Sequence, residues 1–129
     1  MTVPNPTTFS TEWCDAWNAH DLDRLLSHFS ESVVFRSPVG AQVIPGSEGV
    51  FRGKAAVREY WERGLALIPD LRFEVVSVYA GIDTIVIVYR NQKGALVSEV
   101  LIFDEDGLVV DGRGTYLRAD QNPAGLNRH

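Results

Sequence analysis

The first part of the chain repeats its hydrophobic residues at helical spacing. One stripe, at positions i, i+4, i+7 and i+8, consists of Phe9, Trp13, Ala16 and Trp17. It predicts a helix that begins near Thr7 or Thr8 and ends around Asn18. Asp21 is a natural N-cap for a second, shorter helix. The stripe of that helix, at i, i+3, i+4 and i+7, consists of Leu22, Leu25, Leu26 and Phe29.

The middle of the chain changes pattern twice. Residues 33–37 are rich in β-branched and aromatic side chains and predict a short strand that Pro38 stops. Residues 38–49 contain Pro45, Gly46 and Gly49 and predict a mobile loop. A strong helical pattern then begins at residues 52–54 and ends before Pro69. Its apolar stripe consists of Val57, Tyr60, Trp61, Gly64, Leu65 and Ile68.

The second half of the chain has the spacing of strands. Four β-rich runs cover residues 71–79, 84–90, 95–104 and 108–117. The segments between them are short enough for consecutive antiparallel hairpins, so they form a meander. Helices at the front and strands at the back predict an α+β domain, with helices covering one face of an antiparallel sheet. We expect one domain over residues 1–129, with a frayed polar tail at 119–129.

Composition narrows the classes of function. Hydrophobic residues make up 45% and charged residues 22% of the 129 residues, as in ordinary globular proteins. The formal net charge of −5 gives no long-range attraction for nucleic acid or anionic lipid. No apolar run approaches the ~20 residues of a membrane span. The N-terminus lacks the pattern of a signal peptide. The single Cys14 closes no intramolecular disulfide. We therefore expect a cytoplasmic protein with neither nucleic acid nor membrane as partner.

Three segments carry a family resemblance: residues 13–23 (WCDAWNAHDLD), 33–38 (VVFRSP) and 49–57 (GVFRGKAAV). Together they resemble the nuclear transport factor 2-like superfamily, especially its SnoaL-like and ketosteroid-isomerase-like members. The resemblance spans about residues 8–117. It implies a curved sheet wrapped with the long helices into a cone that holds an apolar pocket. Because this superfamily hosts several kinds of enzyme as well as binding proteins, the resemblance specifies the fold more than the activity.

The resemblance also implies positions for functional groups. Trp13 stands where the isomerases carry an oxyanion-binding tyrosine, and Ser37 stands where they carry the general base. Glu99 stands where they hold a neutral carboxylic acid, as in the ketosteroid isomerase that serves as the standard example of such a group. Gly114 stands where SnoaL-like cyclases and epoxide hydrolases carry an acid. Steroid isomerisation by the known route is therefore not expected.

Glu99 is the strongest candidate for chemistry that the residues themselves provide. It shares one face of its strand with Val97, Leu101 and Phe103. This is the more hydrophobic of the two faces, so Glu99 should point inward. A carboxylate there costs several kcal/mol unless it is paired or protonated. One reading is an acid or base in a pocket, with Ser37 as a second catalytic candidate. The other is a buried ion pair with Arg90 or Arg113, and Ser37 as a strand-end cap.

The last strand and the helices supply candidate pocket walls. Gly112, Gly114 and Tyr116 share one face, and the two glycines would widen a cavity or bend the strand. The aromatic candidates, which are either pocket wall or plain core, are Trp13, Trp17, Phe51, Tyr60 and Trp61. Buried Tyr and Trp side chains need partners for their O–H and N–H groups, and Tyr60 is the expected polar handle.

No metal or cofactor is expected. The three histidines, His20, His28 and His129, lack metal-ligand spacing, and Cys14 has no basic neighbour that would activate its thiol.

The sequence thus predicts a protein that binds an apolar polycyclic or lipid-like molecule. It would be a cofactor-independent isomerase, cyclase, dehydratase or hydrolase with Glu99 as acid or base. The alternative is a non-catalytic ligand-binding or assembly module of the same fold.

Both faces of the predicted strands carry apolar residues, although the helices cover one face only. A six-stranded meander built this way leaves an apolar sheet face that a second copy would cover. We expect a homodimer whose interface includes Val100, Ile102, Asp111 and Arg113, the last two forming reciprocal ion pairs across the axis.

Overall fold

A computed structural model describes residues 3–118 of the chain. The tail predicted at residues 119–129 lies outside the described residues. Two helices come first, α1 (Pro6–Asn18) and α2 (Leu22–Leu26), followed by strand β1 (Phe29–Arg36). Next come α3 (Pro38–Val43), β2 (Val50–Arg52) and α4 (Lys54–Leu67). The last four elements are β3 (Glu74–Ala80), β4 (Thr84–Arg90), β5 (Leu96–Phe103) and β6 (Val109–Tyr116).

Local capping explains where the first helices begin. The Asn5 side chain accepts a hydrogen bond from the Thr8 N–H at 3.0 Å, and Pro6 occupies the first turn of α1. The Asp21 side chain caps α2 through the Arg24 N–H at 3.1 Å, as the sequence predicts. Helix α2 is shorter than expected, because the chain turns after Leu26 and Phe29 already belongs to β1. The Phe29 ring packs against Trp61 at a centroid distance of 5.3 Å.

The segment predicted as a mobile loop is partly helical. Ser37 caps α3, with its Oγ accepting from the Gly40 N–H at 3.4 Å, and Pro38 supplies the first helical residue. The short strand β2, which the pattern did not separate from the start of α4, pairs antiparallel with β1. Residues 38–52 therefore form two regular elements that hold the end of β1 in place.

The sheet has six strands in the order β2-β1-β6-β5-β4-β3. Strands β3 to β6 form the predicted antiparallel meander. The prediction of a six-stranded meander is wrong in one respect, because β1 pairs parallel with β6. In this pairing Arg36 lies opposite Arg113, and β6 connects β1 to the other strands of the sheet. The mixed α+β class and the curved sheet covered by helices are confirmed.

Burial alternates along the central strands and defines the inner face. On β5, every second residue from Val97 to Phe103 is buried, and the residues between are half-buried. On β6, Gly112 and Gly114 are buried, whereas Asp111 and Arg113 face outward. Asp111 forms ion pairs within its own chain, to Arg36 at 3.2 Å and to Arg113 at 3.1 Å.

The two glycines of β6 have different surroundings. A Cβ atom at Gly112 would lie 2.6 Å from Cδ1 of Phe35, because this ring from β1 packs directly over the glycine. A Cβ atom at Gly114 would meet its nearest atom, Oγ of Ser37, at an ordinary 3.5 Å. Gly112 is thus required by close packing and does not widen a cavity.

We predict that Gly112→Ala lowers the free energy of unfolding by about 1–3 kcal/mol, since the added methyl group overpacks the core against Phe35. The matched variant Gly114→Ala should change the free energy of unfolding by less than about 0.5 kcal/mol. Urea unfolding of both variants measures the difference. Equal effects at the two positions would contradict this account of the strand.

Candidate functional site

A cavity of about 90 Å³ lies between the inner face of the sheet, helices α3 and α4, and residues 68–73. Eight lining residues are half-buried and form its mouth: Val39, Gly64, Leu65, Ile68, Leu71, Asn91, Gln92 and Tyr116. An apolar cavity of about 150 Å³ is known to hold benzene. At about 90 Å³ this cavity is smaller, so it encloses only part of one ring.

The walls of the cavity are largely aromatic, as Trp17, Trp61 and Phe73 show. Trp17 packs edge-on against Trp61 at 4.9 Å and lies 5.5 Å from Phe73, measured between ring centroids. Edge-to-face contacts of this kind fix the orientation of the rings. The inner wall is therefore preformed and apolar.

Hydrogen bonds from the end of α1 hold one side of the mouth. The Asn18 side chain accepts from the Phe73 N–H at 2.7 Å and donates to the Phe73 carbonyl at 3.0 Å. The ring nitrogen Nε2 of His20 lies 3.0 Å from the Leu71 carbonyl oxygen. Leu71 and Phe73 both line the cavity but precede the first residue of β3. These hydrogen bonds therefore hold residues 71–73, which no β-strand pairing holds.

Glu99 points into the cavity from the centre of β5 and is only 5% exposed. Burial raises the pKa of its carboxyl group from 4.5 to about 8, and a hydrogen bond from Tyr89 acts in the opposite direction. The first effect is the larger, because an ionised carboxylate loses its hydration in an apolar wall. Glu99 is therefore mainly protonated at neutral pH.

The two arginines considered as ion-pair partners of Glu99 bind elsewhere. Arg90 donates to the Gly94 carbonyl at 3.3 Å, and Arg113 faces outward to Asp111. The group that lowers the pKa of Glu99 is Tyr89, a buried phenol on the neighbouring strand. The structural ion pair to either arginine is therefore wrong.

Ser37 is both a helix cap and part of the cavity wall. Besides capping α3, its Oγ accepts a hydrogen bond from the Tyr60 hydroxyl at 3.2 Å. Desolvation raises the pKa of Tyr60 to about 12, so its phenol stays neutral. No basic group is among these contacts, so Ser37 has no activator that would make it a nucleophile or a base.

Gly114 and Tyr116 line the same end of the cavity. The absent Cβ of Gly114 would lie 3.5 Å from Ser37 Oγ and 3.7 Å from Cε1 of the Tyr116 ring. Burial raises the pKa of Tyr116, and its hydrogen-bond interaction with Ser37 lowers it by a smaller amount. Tyr116 is thus a neutral hydroxyl donor close to Ser37.

The cavity therefore brings together most of the candidate residues predicted from sequence: Ser37, Glu99, Trp17, Tyr60, Trp61, Gly114 and Tyr116. Three others lie outside its lining. Trp13 stacks on Phe73 at 5.7 Å in the core. Phe51 stacks on Tyr60 at 4.5 Å and supports that ring from behind. Gly112 is covered by Phe35. In the structure these three residues pack the core around the site.

Sequence reasoning missed Tyr89, which is buried in β4 and interacts with Glu99. The signal was available, because the short turn after residue 90 fixes the register of the β4–β5 hairpin. In that register Ile87 pairs with Glu99 and Tyr89 pairs with Val97. Tyr89 is therefore a diagonal, same-face neighbour of the acid, within reach of a long side chain.

Two buried indole groups lack the partners expected for them. The Nε1 atoms of Trp13 and Trp17 have no hydrogen-bond acceptor within the described part of the chain. A buried unpaired donor costs about 1–3 kcal/mol. Trp17 is also a lining residue of the cavity.

Among residues 3–118, no group of three or more His, Cys, Asp or Glu side chains is placed to hold a metal ion. Over the same residues, no helix has the length and apolar character needed to cross a membrane.

The chemistry that this arrangement supports is hydrogen bonding and proton transfer. Its carboxyl group has a pKa near neutrality, which suits a general acid or base. Around it stand phenol and serine hydroxyl groups, which donate hydrogen bonds but do not ionise near pH 7. The remaining wall is mostly apolar, with the polar side chains of Asn91 and Gln92 at the mouth.

Comparison with known proteins agrees with this architecture. The SnoaL-like domain model matches residues 10–120. The crystal structure of a SnoaL-like protein of unknown function from Burkholderia thailandensis is 44% identical, with a TM-score of 0.81. That match covers 88% of this chain and 95% of the other. A search of curated protein sequences found no significant match.

More distant structures share the fold. TerC, crystallised with polyporic acid, is 13% identical with a TM-score of 0.71, over 86% of this chain and 90% of TerC. AclR, a putative hydroxylase from Streptomyces galilaeus, is 24% identical with a TM-score of 0.66, over 86% of this chain and 87% of AclR. Because the domain model covers most of the residues, the chain belongs to the SnoaL-like family.

Proposed function

We propose that the protein binds an apolar small molecule in this cavity and transfers a proton to or from it through Glu99. The observation that carries the proposal is a carboxyl group buried in an aromatic cavity wall, with the Tyr89 phenol on the neighbouring strand. Such a group stays protonated at neutral pH and can give its proton to a substrate atom. Isomerisation, cyclisation, dehydration and hydrolysis all include a step of this kind.

The similar structures support a small-molecule ligand. TerC carries polyporic acid in its crystals, and AclR is described as a putative hydroxylase. Their identity to this chain is too low to transfer a substrate or a reaction. At about 90 Å³ the cavity encloses only part of one ring, so most of a polycyclic ligand would lie outside it.

One observation favours the alternative, a non-catalytic binding module. The other titratable groups that line the cavity are Tyr60, Tyr89 and Tyr116, and the pKa of each is raised. Glu99 therefore has no second acid or base of near-neutral pKa beside it in the described lining. Catalysis then requires that Glu99 both deliver and recover the proton.

Deuterium exchange distinguishes the two functions. A cyclic ketone such as cyclohexenone, dissolved in deuterium oxide at neutral pH, should exchange its acidic C–H protons faster with the protein than with Glu99→Gln. General acid–base catalysis is worth roughly 100-fold or more, and we expect at least tenfold here. Proton NMR follows the loss of the C–H signals. Equal rates, with the ketone bound by both proteins, would leave the binding module as the function.

The raised pKa of Glu99 also predicts how stability depends on pH. In the unfolded chain the group ionises near its ordinary value of 4.5, and in the folded protein near 8. The folded state therefore binds more protons between these values, and stability falls as the pH rises through this window. The slope attributable to Glu99 is at most about 1.4 kcal/mol per pH unit.

Urea unfolding at a series of pH values, for the wild type and for Glu99→Gln, isolates this contribution. The difference between the two proteins should be greatest in favour of the wild type below pH 4.5 and shrink as the pH approaches 8. Carbon NMR of the labelled carboxyl group measures the same pKa directly. A Glu99 signal that titrates near 4.5 would contradict the assignment.

We further propose that two copies pair through the outer face of the sheet. Val100 and Ile102 lie on this face and are half-buried in the single chain, and Asp111 is held there between Arg36 and Arg113. Ion pairs between Asp111 and Arg113 of different copies would therefore have to replace the pairs that Asp111 already makes within its own chain. The apolar positions supply the driving force in this arrangement.

Light scattering should report a mass of about twice 14.3 kDa at micromolar concentration. Ile102→Lys should shift it towards the monomer, because a lysine would be buried unpaired in the interface. Leu67→Lys is the control, since Leu67 is an exposed apolar residue of α4 on the other side of the sheet. A monomeric wild type, or an unchanged mass for Ile102→Lys, would overturn the proposed interface.

A further inference from the structure

One position in the apolar stripe of α4 carries no side chain. Gly64 follows Trp61 by three residues and precedes Ile68 by four, and its carbonyl accepts from the Ile68 N–H at 2.9 Å. Residues at these spacings lie on the same face of a helix. Because all three residues line the cavity, a side chain at position 64 would project towards the mouth.

The backbone of α4 does not require a glycine at this position. Gly64 lies inside the helix, three residues before its last residue, Leu67, and it is not among the glycines with positive φ. Apart from α4 itself, no atom of residues 3–118 lies within 4 Å of the place that its Cβ atom would take. After proline, glycine is the least favourable residue in a helix interior. It therefore weakens α4 without a reason in the local packing.

Two other glycines near the cavity differ in this respect. Gly112 lies beneath the ring of Phe35, and Gly40 lies beneath the ring of Phe51. A Cβ atom at either position would collide with the ring above it. Close packing thus explains both of these glycines, whereas the space over Gly64 is open on the side of the cavity mouth.

The surface around Gly64 is apolar and well fixed. Three half-buried apolar residues of the mouth accompany it: Leu65, Ile68 and Leu71. Another part of the mouth is the β4–β5 hairpin, where Asn91 Oδ1 accepts from the N–H groups of Lys93 and Ala95 at 3.0 Å each. These bonds hold the turn in one conformation. The mouth is therefore a preformed surface that an apolar group can cover.

The size of the cavity determines what reaches this surface. The cavity encloses about 90 Å³, less than the roughly 150 Å³ that holds benzene. A ligand of two fused rings would therefore leave its second ring at the mouth. A flat ring can lie directly on a helix backbone only where no side chain intervenes, and glycine is the residue that permits so close an approach.

We propose that the bare backbone at Gly64 binds the second ring of a flat, fused-ring ligand whose first ring enters the cavity. Gly64 then determines specificity for ligand size, because a side chain there would fill the place of the second ring. This inference rests on the proposed function only in requiring that the cavity binds an apolar small molecule. It does not require proton transfer by Glu99.

Two probes that differ by one ring test the proposal. One is para-fluorophenol, and the other is beta-naphthol fluorinated on the ring that lacks the hydroxyl group; fluorine NMR titration measures both affinities. The wild type should bind the naphthol about tenfold more tightly, since its second ring leaves water for the apolar mouth. Gly64→Leu should remove most of this preference and change the affinity for the phenol by less than about twofold.

The matched control is Ala66→Leu. Ala66 is exposed on the same turn of α4 and is not among the described lining residues of the cavity. A leucine there adds a similar apolar side chain to the helix without reaching the mouth. This variant should keep the tenfold preference for the naphthol.

Gly64→Ala separates a binding role of the glycine from a structural one. Its melting temperature should rise by about 2–4 °C, because alanine favours the helix and the methyl group meets no neighbouring element in residues 3–118. Its affinity for the naphthol should nevertheless fall about threefold. A less stable variant, or one that binds the naphthol as tightly as the wild type, would contradict the proposal.

The outcomes also separate this inference from the proposed function. The position of the second ring is wrong if the wild type does not prefer the naphthol, if Gly64→Leu keeps the preference, or if Ala66→Leu loses it equally. The cavity would then still bind single rings, and proton transfer by Glu99 would be unaffected. If neither probe binds, the small-molecule cavity and this inference both fail. Thermal unfolding checks each variant, and if Gly64→Leu does not fold, Gly64→Ala decides.

Discussion

A carboxyl group buried without a cation is the constraint on which the rest of this structure depends. Glu99 lies on the inner face of β5, and hydrophobic residues flank it along the strand at Val97 and Leu101. Ionising it there would cost several kcal/mol, so the fold keeps it protonated and gives it a phenol, Tyr89, as a partner. The surrounding hydroxyl groups are neutral for the same reason. The site is thus polar without being charged.

The parallel pairing of β1 with β6 completes this site. It brings Ser37, from the first third of the chain, beside Gly114 near its end. Ser37 then starts α3, and its hydroxyl group also accepts from Tyr60 of α4. One serine therefore links the sheet and two helices at the cavity wall. The helix cap is a structural role, and the same hydroxyl group also lowers the pKa of Tyr116 in the cavity wall.

How far the sequence predicts this arrangement depends on the range of the contacts. The inward direction of Glu99 follows from alternation along one strand, and the meander follows from three short turns, so both are local. The pairing of β1 with β6 joins residues 77 to 80 positions apart, and no local pattern encodes it. The different roles of Gly112 and Gly114 depend on that pairing, because Phe35 reaches over only the first of them. The helix in residues 38–43 was missed because Pro38 can either stop a strand or begin a helix.

Family membership specifies the cavity but not the position of its acid. The resemblance implies an acid on the last strand of SnoaL-like cyclases, and this chain has Gly114 there. Its carboxyl group stands instead on the adjacent strand, directly opposite that glycine. A side chain at position 114 would separate Glu99 from Ser37, whereas a glycine leaves both facing one open space. The lining of the cavity therefore still contains a carboxyl group, although the position on the last strand is a glycine.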